Sequence, residues 1–301
     1  MLGAIIGDMV GSPYEFGNRM MKGTDFPLWI PRSQFTDDTV LTLAVAEGLM
    51  NGYNDPQRSE VEVRNALLKY GRLYPRAGYG ERFIYWMREA DPKPYNSFGN
   101  GSAMRVSSAG WLYDTLSDVE LFAAISARVT HNHPEGIKGA CSVAAAIYMA
   151  RTGSSKEEIR SFIEKEFGYD LSRTCDEIRP DYNFKVSCQE SVPEAIICFL
   201  EADSYERAIR LAVSLGGDSD TQAAIAGSIA EAYFGIPEEL KEEGLRSRIL
   251  LQVHDELIIE APREEAQVVT ELLRTQMEQA ADLKVKLEAD VHQGNSWYEA
   301  K

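Results

Sequence analysis

The sequence predicts an all-α domain over residues 1–239, followed by a β-β-α-β appendage over residues 240–301. Three observations carry that prediction. Apolar residues recur at helical spacing in six segments before residue 240. No run in that stretch alternates as a strand does. After Pro237 the texture changes, and short β-rich runs replace the helical pattern.

The opening MLGAIIGDMVGS lacks a basic leader and reads as the start of a buried helix, not as a signal peptide. Thr39–Met50 (TVLTLAVAEGLM) is apolar on most faces, as a core helix is. Ile137–Ala150 is Ala-rich and ends near Gly153, and Lys156–Phe167 follows the N-capping pair Ser154-Ser155. Val192–Glu201 and Tyr205–Ser214 are two further helices split by the turn Ala202-Asp203-Ser204. Thr221–Tyr233 is stopped by Gly235 and Pro237. Tyr74–Gly80 and Asp91–Gly101 are Gly- and Pro-rich loops. In the appendage, Arg248–Val253 and Leu257–Glu260 flank His254-Asp255-Glu256 as a hairpin. Pro262 then opens an amphipathic helix to about Leu283, and Val285–Val291 is the last expected strand.

The chain carries a formal net charge of −16 over 301 residues. A balance this acidic excludes a general nucleic-acid clamp or a polybasic membrane binder. Residues 240–301 hold eight basic and thirteen acidic residues, so the tail is no basic arm and is not expected to bind nucleic acid. At 44% hydrophobic residues the chain can bury a substantial core. No apolar run reaches the ~20 residues that span a bilayer, so no membrane association is expected. Cys141, Cys175, Cys188 and Cys198 lack the spacing of a zinc knuckle and read as reduced thiols of a cytoplasmic protein.

Two segments repeat one chemical idea. Phe35-Thr36-Asp37-Asp38-Thr39 and Gly216-Gly217-Asp218-Ser219-Asp220-Thr221 each run directly into a helix. Helix capping explains either one alone, since Asp and Thr favour a helix N-terminus. Together they offer more oxygens than capping needs, and packed carboxylates repel unless a cation neutralises them. Oxygen ligands of this kind suit Mg2+ or Mn2+ rather than zinc. Gly216-Gly217 lets the backbone bend before the second cluster. Glu15 is a third acidic candidate, although a lone glutamate is more often solvated. The loop Gly99-Asn100-Gly101-Ser102, before Met104-Arg105, could cradle a phosphate or be an ordinary turn. His131 and His133 are ligand contacts, metal ligands or structural histidines.

The stretches GAIIGDMVGSPYEF, FTDDTVLTLAVAEGL, SFGNGSAMRVSSAGW, THNHPEGIKGA and SLGGDSDTQAAIAGSIAEAYFG stand in this order. In them the chain from Met1 to about Glu239 resembles the ADP-ribosylglycohydrolase family, of the dinitrogenase-reductase-activating type. The resemblance implies an all-α orthogonal helical bundle that holds two Mg2+ or Mn2+ ions in a cleft. It implies hydrolysis of the glycosidic bond between ADP-ribose and a partner, either a protein side chain or a small-molecule conjugate. Position by position it implies Thr36, Asp37, Asp38, Asp218, Asp220 and Thr221 as metal ligands. Glu15 falls on the acidic residue beside the metals, as the carboxylate that manages the proton or as a further ligand. Phe98, Gly99, Asn100, Gly101, Ser102 and Met104 match the loop around ADP-ribose, and His131 the histidine lining that pocket. His133 is left structural. An inactive ADP-ribose binder is the alternative.

The tail resembles something else. LKEEGLRSRILLQVHDELIIEAP and LEADVHQGNSWYEAK look like the C-terminal palm end of bacterial family A DNA polymerases, with Asp255 and Glu256 in the palm hairpin. The second palm aspartate and the nucleotide-gripping fingers helix of such polymerases have no counterpart in residues 1–239. Asp255 and Glu256 are therefore expected to be inactive, and the tail to be a partial palm-like segment.

Overall fold

The computed structural model describes residues 1–237, 248–253, 256–260, 266–267, 269–270, 273–274 and 289–294. It divides into two compact units, Met1–Gly235 and Ile236–Lys301.

The first unit is helical throughout. Its helices run in the order α1 (Leu2–Gly11), α2 (Asp37–Asn51), α3 (Pro56–Leu73), α4 (Glu81–Arg88), α5 (Gly101–Met104), α6 (Ser107–Leu112) and α7 (Leu116–Arg128). They continue with α8 (Pro134–Arg151), α9 (Lys156–Phe167), α10 (Cys175–Ile178), α11 (Cys188–Glu201), α12 (Tyr205–Ser214) and α13 (Ser219–Phe234). Local chemistry sets the bounds. Asp55, Thr115, Ser155, Thr174 and Ser204 each accept a backbone N–H at a helix start, and Gly168 ends α9 in the left-handed conformation at φ 67°. His133 caps α8, its Nδ1 accepting from the Glu135 N–H at 3.1 Å, so this histidine is structural.

The core is built around α8 and α13. Ser219 to Ala230 of α13 are all buried, and α13 packs on α1, α8, α11 and α12. α8 presents Val143 to Ile147, each 0% exposed, toward its neighbours. The α1–α13 crossing is close enough to exclude side chains. A Cβ on Gly7 would lie 2.2 Å from the Ala223 carbonyl, one on Gly11 2.4 Å from that of Ser219, and one on Gly227 2.4 Å from that of Gly3. This contact brings the chain after α1 alongside the start of α13. All four cysteines are free and buried. Among the described residues, no helix is long and apolar enough to cross a membrane.

The six expected helices are present, four of them starting earlier than the sequence predicts, α8 among them at Pro134 rather than Ile137. α2 opens at Asp37 rather than Thr39 and α13 at Ser219 rather than Thr221, so both clusters occupy first turns. α11 opens at Cys188 rather than Val192 and carries Pro193 inside it. An antiparallel bridge between Gly99 and Ser187 pins its start, a tertiary contact that outweighs the proline's missing donor.

In the second unit, β1 (Arg248–Val253) pairs antiparallel with β2 (Glu256–Glu260), Val253 opposite Glu256, with a register shift between Ile249 and Leu251. The described residues at 266–267, 269–270 and 273–274 are helical. The complete β-β-α-β appendage is not supported. Of its last strand, 285–288 lie outside the described residues, and 289–291 are not strand, as befits Ala289 and Asp290, poor strand formers. Asp255 lies outside the described residues, and Glu256 opens β2.

Candidate active site

The two acidic clusters meet across the first turns of α2 and α13. Thr36 is the N-cap of α2, its Oγ1 accepting from the Asp38 N–H at 3.2 Å. The Thr221 hydroxyl donates to Asp38 Oδ2 at 3.3 Å and so joins the clusters. Asp38, Asp218, Asp220 and Thr221 are buried, whereas Asp37 is partly exposed. A 3₁₀ turn over Ser12–Tyr14 carries Glu15 off the end of α1 toward the second cluster. One carboxylate oxygen each of Glu15, Asp218 and Asp220 lies within 4.8 Å of the others. The double glycine makes this geometry possible. Gly216 has φ +67°, and a Cβ there would lie 2.8 Å from the Met21 carbonyl. Lys22 Nζ binds the carbonyls of Arg179, Tyr182 and Leu215 and so fixes the approach to that turn.

Crowding of like charges in a dry site shows in the titration of every member. Burial, then the charges of Asp220, Asp37 and Asp8, push the Glu15 carboxyl up to about 8, with Arg19 opposing. Burial, then Asp220 and Asp8, push Asp37 up to about 8. Asp218 is raised to about 6 by burial, restrained by the hydrogen bond from Asn100. Asp38 and Asp220 are also raised, chiefly by burial. Asp38 Oδ1 is buried with no hydrogen-bond partner.

The loop expected to face a ligand lies beside these clusters. The Asn100 N–H donates to the Val186 carbonyl at 2.8 Å and the Cys188 N–H to the Phe98 carbonyl at 2.9 Å, which fastens residues 98–100 to the start of α11. Phe98 is 45% exposed and packs edge-on against His133. Asn100 turns inward, its Nδ2 donating to Asp218 Oδ2 at 2.6 Å. The Ser102 hydroxyl also points inward and donates to the Gly136 carbonyl at 2.7 Å. Met104 is buried, with its sulfur 3.8 Å from the Thr221 hydroxyl. Gly101 and Ser102 open α5 without a side-chain cap, so their N–H groups are free of helix-internal acceptors. The His131 ring lies against Gly99 and Gly101, where a Cβ would be 3.6 and 3.3 Å from Nε2.

Sequence reasoning missed Asp8. It is 0% exposed and accepts four hydrogen bonds: the Thr36 and Thr39 N–H groups reach Oδ2 at 2.9 and 3.0 Å, the Thr39 hydroxyl Oδ2 at 2.5 Å and the Thr36 hydroxyl Oδ1 at 2.8 Å. One acid inside an otherwise apolar helix was the available signal. The exposed pair Phe16 and Phe184, stacked at 5.5 Å, was also missed, because its members lie far apart in the chain.

The helical unit brings two acidic helix starts together, and the comparisons identify its class as hydrolases. A family model described as ADP-ribosylglycohydrolase matches residues 1–276, past the expected boundary at 239. The chain belongs to the ADP-ribosylglycohydrolase family, whose members hydrolyse ADP-ribosyl linkages, and is an enzyme of that class. It is similar to the ADP-ribosylhydrolase ARH3 of Mus musculus, 27% identical over 313 residues, covering 79% of this chain and 83% of that protein. A solved structure described as an ADP-ribosylglycohydrolase-related protein complex matches with a TM-score of 0.60 at 26% identity, covering 80% of this chain and 91% of the other. A local similarity accompanies these: the chain is 49% identical over 80 residues to DNA polymerase I of Bacillus caldotenax, 27% of this chain but 9% of the polymerase.

Proposed function

We propose that this protein hydrolyses the glycosidic bond between ADP-ribose and a protein side chain or small-molecule acceptor in a reaction that depends on two Mg2+ or Mn2+ ions. The observation that carries this reading is the buried, partnerless Asp38 Oδ1 among converging carboxylates. An anionic oxygen without a donor is costly in a dry site, and hard oxygen ligands fit these divalent ions. Thr36, Asp37, Asp38, Asp218, Asp220 and Thr221 would hold them. When bound, such ions neutralise the cluster and lower the pKa of a coordinated water.

The chain's own residues supply the rest. The exposed Phe98 ring offers a stacking face, and the Gly101 and Ser102 N–H groups offer donors to a diphosphate. Asn100 holds Asp218 in place and so ties that loop to the acidic cluster. Glu15, half-buried beside Asp218 and Asp220, takes the proton of the attacking water. The four free, buried cysteines suit a reducing cytoplasm. We assign residues 1–239 to the hydrolase and 240–301 to a palm-like segment without polymerase activity.

The test is incubation with ADP-ribosyl-arginine and ADP-ribosyl-serine peptides, with and without Mg2+ or Mn2+, scoring free ADP-ribose. Metal-dependent release that disappears in Asp218→Ala is expected, and the substrate cleaved names the linkage. Binding of ADP-ribose without release from either peptide would favour the non-catalytic binder.

A further inference from the structure

Behind the His131 ring stands a chain of side chains that the proposed reaction does not itself use. Arg105 follows α5, is 1% exposed, and forms no ion pair among the described residues. A buried guanidinium without a carboxylate is costly to keep. Its Nη2 donates to Thr130 Oγ1 at 2.7 Å, and its Nε has no partner. Thr130 Oγ1 lies 2.7 Å from His131 Nδ1, and the Tyr95 phenol also interacts with the Thr130 hydroxyl.

Proton counting together with the basicity of the acceptors sets the direction of this chain. A guanidinium only donates, so the Thr130 oxygen accepts from Arg105. A hydroxyl polarised by a cation is a stronger donor in turn. Of the two acceptors beside it, Nδ1 and the Tyr95 phenol oxygen, the imidazole nitrogen is the more basic and takes the proton, while the phenol O–H is free to donate to the second Thr130 lone pair. Nδ1 therefore accepts. Burial and the nearby Arg105 and Arg82 charges hold the ring neutral, so its one proton resides on Nε2, the edge that lies against Gly99 and Gly101.

We propose that Arg105 and Thr130 are positioning residues that lock His131 in the Nε2–H tautomer, as a hydrogen-bond donor to a phosphate or ribose oxygen of the bound ADP-ribose. This rests on the reading that the 98–104 loop holds that ligand. A histidine in the other tautomer would present a lone pair to the ligand's oxygens and repel them.

Arg105 also offsets the charge of Asp37, so Thr130 carries the test. In the full-length protein labelled with 15N-histidine, NMR should show His131 neutral and protonated on Nε2 between about pH 5 and 8. Thr130→Ser keeps that signature and the affinity for ADP-ribose measured by calorimetry. Thr130→Val keeps the shape, loses the fixed tautomer, and weakens ADP-ribose binding about tenfold, as the loss of one hydrogen bond does. An Nδ1-protonated ring in the wild type overturns the inference, even where ADP-ribose binds normally. Equal binding by wild type and Thr130→Val overturns it too. A wild type with the expected tautomer that binds no ADP-ribose overturns the ligand role together with the functional reading beneath it.

Discussion

Asp8 shows how one carboxylate organises ligands it does not itself supply. Its Oδ2 takes both backbone N–H groups at the start of α2, and its Oδ1 takes the Thr36 proton; with one Thr36 lone pair on the Asp38 N–H, the other is left for the proposed cation. Asp8→Ala strands two buried N–H groups and should cost about 2–5 kcal/mol in chemical denaturation. Asp8→Asn should fold better, because its carbonyl can replace Oδ2. Its NH₂ would then donate to Thr36 and occupy the oxygen needed by the metal. Weaker Mg2+ binding at near-normal stability is the expected result, read by titration calorimetry. The acidic pairs at 37–38 and 218–220 were legible in the sequence, since an excess of oxygens within a few residues states its own chemistry. Asp8, Arg105 and Thr130 were not, because each acquires meaning only from a partner brought near by folding.

The elements that matter most are α1 and α13, whose small residues allow backbone approach. Gly7→Ala gains up to about 1 kcal/mol of helix propensity. It also drives a Cβ to 2.2 Å from the Ala223 carbonyl, an overpacking that costs typically about 1–3 kcal/mol. A net loss of about 1–2 kcal/mol in denaturant unfolding is expected, with a larger fall in hydrolysis because Glu15 moves away from Asp220. Helices such as α9 and α12 could be read to the residue from their caps. α3, α4 and α7 went unassigned although they carry caps or apolar faces, and α11 starts four residues before the expected Val192, where the Gly99–Ser187 bridge holds its first turn.

At the scale of the whole molecule, the acidic centre makes stability depend on pH and on metal together. Glu15 and Asp37 titrate near 8 and Asp218 near 6 in the fold, against roughly 4 in the unfolded chain. The folded state therefore binds more protons across that window. Stability of the chelated protein should be greatest below about pH 4 as far as these groups contribute, and fall as pH rises to about 8. Saturating Mg2+ should flatten the fall, a difference that melting temperatures measured across pH with EDTA or Mg2+ will show. The polymerase-like stretch was legible in the sequence from its motifs. Residues 289–291 of the last expected strand are not strand, since β-propensity depends on a neighbouring strand that the sequence could not name.

The crossing of α1 with α13 also sets a timetable for synthesis. Gly7 and Ala223 are about 200 residues apart in the chain. At about 5–20 residues per second, α1 leaves the ribosome about 10–40 s before its partner exists. Throughout that interval the glycine-notched face of α1 lacks the helix that covers it in the fold, so the newborn chain completes this contact only when α13 has been translated.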